Sequence, residues 1–347
     1  MFKHKYQFTI FEYSDKINNS ASTKAVADCN KIFTAAGYQD YTLTVNNEAG
    51  RKAKFYLNAF VAICKFLVKV EKGSLIGIQY PMLNNVFKYF IKAANLKGIK
   101  FFCIIHDVES LRLGGTDEAL VAKEVNNLNY YDALVVHNPL MLQWLKSKGV
   151  TSKMVSLGIF DYLAKQAPLQ QGTSTKLNTV AFAGNLNKSN FIYHLGDIQN
   201  CKFNVYGPNL IKENTLGSNT QWCGVYPPDE IVQHLKGDFG LIWDGDDINE
   251  LDAILGNYLK FNNPHKVSLY LAAGLPVIAP RSSAIGQLLQ KNKIGILIDT
   301  LKDLNTLNVP AEEYVILKNN CISIQQKLIK GEFFSEALNA VEKELAI

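Results

Sequence analysis

The stretch FGLIWDGDDINELDAILGNYLKFNNPHKVSLYLAAGLPVIAP, residues 239–280, decides the fold. It opens with an apolar run, Phe239–Trp243, that predicts a buried strand. It closes with a predicted helix over Pro264–Ala273 and a second apolar strand over residues 276–279. The proline suits the first turn of a helix, where its missing N–H is not needed. Gly274 suits the left-handed position just past the helix end. Strand, helix and strand in this order predict a parallel βαβ unit.

Lys266 lies in the first turn of the predicted helix. Backbone N–H groups without intrahelical partners, the positive end of the helix dipole and an ammonium group together form an anion site. We interpret the anion as the diphosphate of a nucleotide sugar. An N-terminal lysine on an ordinary surface helix fits the same spacing, so position alone leaves both readings open.

Composition indicates a folded, two-domain protein. The chain is 48% hydrophobic and 19% charged, a composition that excludes a disordered chain. Its 347 residues are enough for two domains. No apolar run reaches the length of a membrane span, and the N-terminus has no signal-peptide pattern. The six cysteines include no CxxC pair, which favours reduced thiols over disulfides or zinc ligands. We therefore expect a cytoplasmic protein.

Charge is unevenly distributed along the chain. Residues 1–155 contain 20 Lys and Arg against 12 Asp and Glu, whereas the remainder contains 16 against 19. This predicts that the first half faces an anionic surface, such as phospholipid headgroups at the inner face of the cell membrane. Residues 51–72 have the pattern of a basic amphipathic helix, which either lies on such a surface or packs in the core with its lysines toward water. We find no nucleic-acid recognition motif, and a homo-oligomer is compatible with the sequence.

Strand-like and helix-like segments alternate along both halves. The pattern predicts an α/β protein with two Rossmann-like domains that face a central cleft at the carboxyl ends of their strands. We place the first domain at residues 1–160 and the second at 161–330. A helix over residues 331–347 is expected to return to the first domain. A polar linker, residues 165–175, interrupts the alternation.

The segment IHDVE follows the fourth predicted strand and places His106, Asp107 and Glu109 at the carboxyl edge of the first sheet. A base at this edge would accept a proton from a sugar hydroxyl. In an extended segment both carboxylates would project toward the same side. We rank Glu109 first, Asp107 second and His106 third, because Asp107 stands where a helix-capping aspartate would. The alternative is that Asp107 is only a cap and that His106 only packs.

Several turns of the second half follow predicted strands and supply donor-site candidates. AGNLNKS places Gly184, Asn185 and Lys188 where a phosphate-binding turn would lie, although it is not a GxGxxG fingerprint. Tyr226 would stack on a base or bind a phosphate, and Asp229 would cap the next helix; ordinary loop packing fits both equally. Thr23, at the start of the first helix, would touch the diphosphate from the opposite domain or serve as an N-cap.

These motifs together resemble the bacterial β-1,6-galactofuranosyltransferases that build O-antigens and capsules. The similar segments are FGLIWDGD, GNYLKFNNPHKVSLYLAAGLPVI, IIHDVESLRLGG, HNP, IFDYL and AGNLNKSNFIY, in the same order along the chain. A more distant resemblance is to the glucosyltransferases that extend GlcNAc on bacterial serine-rich adhesins. Both resemblances imply a GT-B fold in which the second domain holds most of a nucleotide sugar.

The resemblance also implies roles for individual residues. It implies that Lys266 and Tyr226 contact the nucleotide, with Thr23 reaching it from the first domain. Lys188 stands where the adhesin glucosyltransferases have arginine, which forms a bidentate fork that lysine lacks. The matched segments also make Asp244, Asn263 and His265 substrate-binding candidates.

The implied chemistry is inverting transfer from a UDP-sugar to a glycan acceptor that is lipid-linked, with no cofactor. Fixed positive groups would stabilise the departing diphosphate, so no metal is expected. The acids Asp244, Asp246 and Asp247 keep a metal-dependent DxD reading open. A nucleotide-sugar epimerase or dehydrogenase and a non-catalytic scaffold subunit are further alternatives. The missing glycine fingerprint disfavours the epimerase or dehydrogenase.

Overall fold

The computed structural model describes residues 2–12, 21–45, 52–81, 86–165, 178–211, 213–251 and 254–346. The polar residues before Thr23, at positions 18–20, and the linker at positions 166–175 lie outside these ranges. Within them, every helix is too short or too polar to cross a bilayer.

Six parallel strands form the first sheet, in the order β2-β1-β3-β4-β5-β6. They are β1 (Lys5–Glu12), β2 (Gln39–Val45), β3 (Leu75–Tyr80), β4 (Lys100–Ile105), β5 (Ala133–Val136) and β6 (Lys153–Ser156). The helices between them are α1 (Ala21–Ala35), α2 (Lys52–Lys69), α3 (Val86–Asn95), α4 (Glu109–Arg112), α5 (Glu118–Leu128) and α6 (Pro139–Ser147). Strands β3, β4 and β5 are buried almost throughout, because helices cover both faces of the sheet.

The second sheet is also parallel, in the order β12-β11-β10-β7-β8-β9. Its strands are β7 (Thr179–Ala183), β8 (Lys202–Tyr206), β9 (Thr220–Trp222), β10 (Phe239–Leu241), β11 (Val277–Pro280) and β12 (Gly295–Ile298). The α-helices are α7 (Ile231–His234), α8 (Leu255–Leu259), α9 (His265–Ala272), α10 (Ala284–Asn292) and α11 (Ala311–Leu328). Strand order reverses between β7 and β10, the switch point at which α/β sheets open a ligand crevice.

The last described helix, α12 (Glu332–Leu345), packs against β5, β6 and α1 of the first sheet. Its buried face includes Phe334, Leu338 and Val341, which belong to the same apolar cluster as Phe33 and Phe102. Because α12 follows the second sheet in sequence, it links the two halves of the molecule.

Polar contacts fix both ends of α12. The buried carboxylate of Asp161 accepts hydrogen bonds from the backbone N–H groups of Phe333 (3.2 Å) and Phe334 (2.7 Å). Near the other end, Lys5 of β1 donates to Glu342 at 2.9 Å. Asp161 therefore satisfies N–H groups in the first turn of α12, which have no intrahelical partners.

The predicted two-sheet architecture is confirmed, with small shifts in the deciding stretch. Helix α9 begins at His265, so Pro264 occupies the N-cap rather than the first turn. Gly274 has φ +68°, as expected of a residue just past a helix end. Strand β10 stops at Leu241, two residues earlier than predicted.

Candidate active site

Lys266 and Gly184 meet at the switch point of the second sheet. The Nζ of Lys266, in the first turn of α9, lies 3.0 Å from a carboxylate oxygen of Asp244, which follows β10. A Cβ built on Gly184, directly after β7, would lie 3.5 Å from the same nitrogen. The N-cap, Pro264, has no side-chain hydrogen bond to the helix. The structure thus brings together three of the residues that the sequence predicted, at the positive end of α9.

The turn after β7 depends on a close backbone approach from the next strand. A Cβ on Gly207 would lie 1.8 Å from the carbonyl oxygen of Gly184, and Gly207 has φ +135°. Only glycine therefore fits at position 207. The backbone N–H of Gly184 donates to the carbonyl of Tyr206 at 3.0 Å. These contacts hold the Gly184 turn against the end of β8.

Asn185 is the N-cap of a short 3₁₀ helix, Leu186–Lys188, that follows this turn. The Oδ1 of Asn185 accepts from the backbone N–H of Asn187 (3.2 Å) and from the amide of Asn209 (3.1 Å). Lys188 is exposed. Nearby, the amide of Asn190 donates to Asp246 at 2.8 Å. Asn185 is therefore a cap in this structure, and its substrate role stays a prediction.

Tyr226 stacks on His234 at 4.0 Å between ring centroids, with an interplanar angle of 13°. The capping role predicted for Asp229 is wrong, because the N-cap of α7 is Glu230. The carboxylate of Asp229 instead pairs with Lys24 of α1 at 3.0 Å. Lys24 also donates to Asp28 (2.6 Å) and to the carbonyl of Leu163 (2.7 Å). A buried ammonium thereby ties α1 to a loop of the second half, one residue beyond the exposed Thr23.

The carboxylates of Asp107 and Glu109 both lie near the guanidinium group of Arg112. The expectation of an extended segment is wrong, because α4 begins at Glu109. Arg112, one turn along, lies 3.8 Å from Asp107 and 3.5 Å from Glu109. The hydroxyl of Tyr258 in α8 donates to Asp107 at 2.9 Å. Asp107 therefore is not the cap of α4 and instead contacts the segment that leads into α9.

Burial raises the pKa of Asp107, and the hydrogen bond from Tyr258 opposes the shift. A raised pKa brings a carboxylate closer to the range of an efficient general base near neutral pH. Glu109 is more exposed than Asp107. The two carboxylates thus differ in environment although they share Arg112.

Glu124 holds the start of α4 through hydrogen bonds to two of its backbone N–H groups. This buried carboxylate accepts from the backbone N–H groups of Glu109 (2.9 Å) and Ser110 (2.7 Å) and from the hydroxyl of Tyr80 (2.9 Å). Three donors compensate a carboxylate that is 5% exposed. Glu124 therefore holds the loop that carries Asp107 and Glu109.

Three imidazoles surround the ring of Phe160. His106 stacks on it at 5.5 Å, His137 meets it edge-on at 5.0 Å, and His265 approaches at 6.2 Å. Burial lowers the pKa of His106 to about 3 and the pKa values of His137 and His265 to about 4. All three rings are therefore neutral at pH 7, so this cluster contributes no positive charge to the site.

Hydrogen bonds assign the tautomer of His106. The amide nitrogen of Gln79 donates to the carbonyl of Val26 (3.2 Å) and to Asn30 (2.6 Å). Its Oε1 is thus the acceptor for His106 Nε2 at 2.6 Å. Nε2 carries the proton, and Nδ1 keeps the lone pair.

Asn263 joins the two halves of the molecule. Its backbone N–H donates to His137 Nδ1 at 3.0 Å, and its amide donates to the carbonyls of His137 (3.0 Å) and Gly158. Its Oδ1 accepts from Asn138 at 2.8 Å. These contacts occupy the amide of Asn263 at the junction, and its substrate role stays a prediction.

Two family models match this chain in sequence. The model described as "Glucosyltransferase 3-like, N-terminal domain" matches residues 7–159, and "Glucosyltransferase 3-like, C-terminal domain" matches residues 180–341. The chain belongs to the glucosyltransferase 3-like family. The relatives named below are glycosyltransferases, and this chain is one.

Curated relatives confirm the resemblance drawn from the motifs. The glucosyltransferase 3-like chain is 30% identical to β-1,6-galactofuranosyltransferase WbbI of Escherichia coli over 82% of its own length and 84% of the relative. It is 26% identical to glucosyltransferase 3 of Streptococcus gordonii over 78% of its length and 80% of the relative.

Solved structures confirm the GT-B fold of this glucosyltransferase 3-like protein. An E. coli structure described as trehalose-6-phosphate bound with UDP-2-fluoro glucose superposes with a TM-score of 0.58. The match covers 99% of both chains at 8% identity, which is evidence for the fold alone.

The family motifs did not reveal every residue that shapes this site. Tyr258, Arg112 and Glu124 were not predicted, and the contact between Tyr258 and Asp107 spans 151 sequence positions. Spacing carries no signal for such a contact. In the part of the chain that the structure describes, no three His, Cys, Asp or Glu side chains cluster as metal ligands would. The absence of a metal requirement stays a prediction.

Proposed function

We propose that the protein transfers galactofuranose from UDP-galactofuranose to a glycan acceptor, with inversion and without a metal, in the synthesis of a cell-surface polysaccharide such as an O-antigen or a capsule. One observation carries the proposal. The segment from Tyr258 to Lys266 contacts Asp107 at one end and carries the cation beside Gly184 at the other. A single stretch thereby connects the base candidates of the first sheet with the anion site of the second.

The donor diphosphate would bind at the N-terminus of α9. Lys266 supplies an ammonium, α9 supplies its positive end, and the missing Cβ of Gly184 leaves room beside the ammonium. Asp244 already neutralises Lys266, so a bound diphosphate would share this cation with the carboxylate. As the bond to the sugar breaks, these fixed donors would stabilise the charge on the departing diphosphate.

The acceptor hydroxyl would lose its proton to Asp107. We place Asp107 ahead of Glu109, because burial raises the pKa of Asp107 and Tyr258 fixes its carboxylate. His106 has a lone pair on Nδ1, but a pKa of about 3 makes it a weak base. The deprotonated oxygen would attack the anomeric carbon opposite the leaving diphosphate, and one such displacement inverts the configuration.

Transfer of glucose from UDP-glucose to a protein-linked glycan is the second candidate. The observation that favours it is the match of both family models, which carry the name glucosyltransferase 3-like over residues 7–159 and 180–341. The relative named galactofuranosyltransferase is the more similar of the two that we compare, which favours the first candidate.

A donor panel tests the proposal. The purified protein would be given UDP-galactofuranose, UDP-glucose, UDP-galactose and UDP-GlcNAc with a glycan acceptor, and NMR would read the anomeric configuration of the product. We expect a β-linked galactofuranoside. Exclusive use of UDP-glucose would establish the second candidate, and an α-linked product would refute inversion.

We expect transfer to continue in the presence of EDTA, because Lys266 and α9 meet the departing charge. The measurement is turnover before and after chelation and after re-addition of Mn²⁺ or Mg²⁺. Activity that is lost on chelation and restored by the metal would contradict the prediction and would give Asp244 and Asp246 a role as metal ligands.

A further inference from the structure

The outward face of α2 carries an apolar stripe. Exposed fractions are 62% for Leu57, 58% for Phe60 and 86% for Val68, and Val61 and Cys64 between them are also exposed. At 3.6 residues per turn these five positions fall within an arc of about 100°. Phe66, on the opposite side of the helix, is fully buried. Contiguous exposed apolar surface on a folded protein marks an interaction site more often than chance.

Lysines flank this stripe. The sequence of α2 contains four lysines and no acidic residue. Lys65 and Lys69 are exposed along one flank of the stripe, and Lys72 follows just past the helix end. The nearest acid in sequence, Glu71, pairs with His4 at 2.8 Å. An apolar band bordered by lysines is the pattern of a helix that lies in the plane of a membrane interface.

We propose that α2 docks the protein on an anionic lipid surface, with the stripe among the acyl chains and Lys65 and Lys69 at the headgroups. A second copy of the chain is the alternative occupant. In an antiparallel symmetric dimer through this face, each lysine-rich flank would meet its own copy, and like charges would repel. Anionic headgroups complement the same lysines.

The position of α2 in the fold indicates where a bound bilayer would lie relative to the cleft. Helix α2 follows β2, so its first residues lie toward the carboxyl edge of the first sheet, where His106 and Asp107 also lie. Its 18 residues extend for about 27 Å away from that edge. A bilayer against Leu57 and Phe60 would therefore lie beside the acceptor side of the cleft. This inference rests on the proposed function, and it makes a lipid-linked glycan the acceptor class.

Vesicle binding tests the proposal on the full chain. Co-sedimentation would compare phosphatidylcholine vesicles with and without phosphatidylglycerol, for the wild type and three variants. The stripe variant is Leu57→Gln/Phe60→Gln/Val68→Gln, and the charge variant is Lys65→Gln/Lys69→Gln. The control is Val315→Gln/Ile316→Gln, which changes two exposed apolar residues of α11.

We expect the wild type and the control to bind anionic vesicles, and binding to weaken with salt. The stripe variant should lose roughly tenfold or more in affinity, and the charge variant roughly fivefold for each lysine removed. Equal binding by the stripe variant, or no binding by the wild type, would overturn the proposal. So would self-association that the stripe variant abolishes in the absence of vesicle binding.

Transfer to a water-soluble acceptor separates this inference from the proposed function. The stripe variant should keep wild-type turnover there, because its substitutions are on the solvent-exposed face of α2 and lie outside the described site. Vesicle binding without any sugar transfer by the wild type would refute the proposed function and leave the docking surface intact. Transfer without vesicle binding would refute the docking surface alone.

Discussion

At Lys266 a single ammonium group would have to serve both Asp244 and a diphosphate. We predict that Lys266→Ala weakens UDP binding by roughly 1–3 kcal/mol, the range for a lost charge-assisted contact. Asp244→Asn should leave UDP affinity equal or higher, because it removes the competing carboxylate. Calorimetric titration with UDP measures both. Lys291→Ala, at an exposed position of α10, is the control, and an affinity of Lys266→Ala equal to that of the control would contradict the diphosphate site.

The base candidates are also separable at the scale of single residues. We predict that Asp107→Asn loses about 10²–10⁴-fold in turnover with UDP affinity unchanged, the usual size of general-base catalysis. Asparagine still accepts the hydrogen bond from Tyr258, so the loop should keep its geometry. Glu109→Gln and His106→Ala should lose less. Near-normal turnover in all three variants would place the base elsewhere.

Among the elements, the sequence predicts the buried strands well and misses two of the four edge strands. The strand-like segments 100–105 and 202–206 are predicted from their apolar sequences and coincide with β4 and β8, because central parallel strands are apolar on both faces. Strands β6 and β9 were not predicted. Both lie at sheet edges and are partly exposed, so they have no continuous apolar run. The basic amphipathic pattern of α2 fits both a helix on a membrane surface and a helix packed in the core. The sequence alone therefore did not decide between these two roles.

Helix α9 lies on β10 through a contact that leaves no space. A Cβ on Gly240 would lie 2.2 Å from the ring of Tyr270, whose hydroxyl accepts from the backbone N–H of Ala183 at 2.9 Å. We predict that Gly240→Ala destabilises the fold by about 1–3 kcal/mol, as overpacking does, and weakens UDP binding by displacing α9. Urea unfolding and calorimetry measure the two effects.

Tyr270→Phe is the matched comparison for this contact. It removes the hydroxyl without adding volume, leaves the Ala183 N–H unsatisfied and should cost about 1–3 kcal/mol. Wild-type stability in Gly240→Ala would show that the ring has room to move and would contradict the argument.

For the whole molecule, the neutral imidazoles around Phe160 predict sensitivity to acid. Their pKa values lie below the ordinary 6.5, so their stabilising contribution is complete above pH 6.5 and is lost as the pH falls toward 4. Each histidine contributes a slope of up to about 1.4 kcal/mol per pH unit. Urea unfolding between pH 4 and 7.5 measures the loss.

The buried carboxyl group of Asp161 opposes the loss of stability on acidification. Burial raises its pKa to about 7, so its contribution is complete below the ordinary pKa of 3.8 and is lost as the pH rises toward 7. Burial also raises the pKa values of Asp28 and Asp107, which act in the same direction. The three histidine shifts together are larger than the shift of Asp161, so stability should still fall on acidification. Asp161→Asn should steepen that fall, and an unchanged slope would contradict the opposition.

Contacts across the two domains between residues that are far apart in the sequence could not be predicted from it. Strand order and the ends of strands place Gly184, Asp244 and Lys266 at one edge, so their meeting was predictable. The bond from Asn263 to His137 spans 126 positions, and no periodicity or motif spacing encodes which loops meet across two domains. The sequence therefore allows one to predict at which sheet edge the candidate residues lie, but not which residues they contact.

Helix α12 has a consequence for the order in which the protein can be made. Phe334, Ala337, Leu338 and Val341 complete an apolar cluster whose other members come from residues 29–160. A ribosome synthesises these four residues only after the entire second sheet. The first domain therefore emerges with part of one face of its sheet uncovered, and that part, over β5 and β6, stays open while the second domain is translated. Growing chains of this protein should therefore depend on chaperones until α12 arrives, and fragments that end before residue 334 should aggregate.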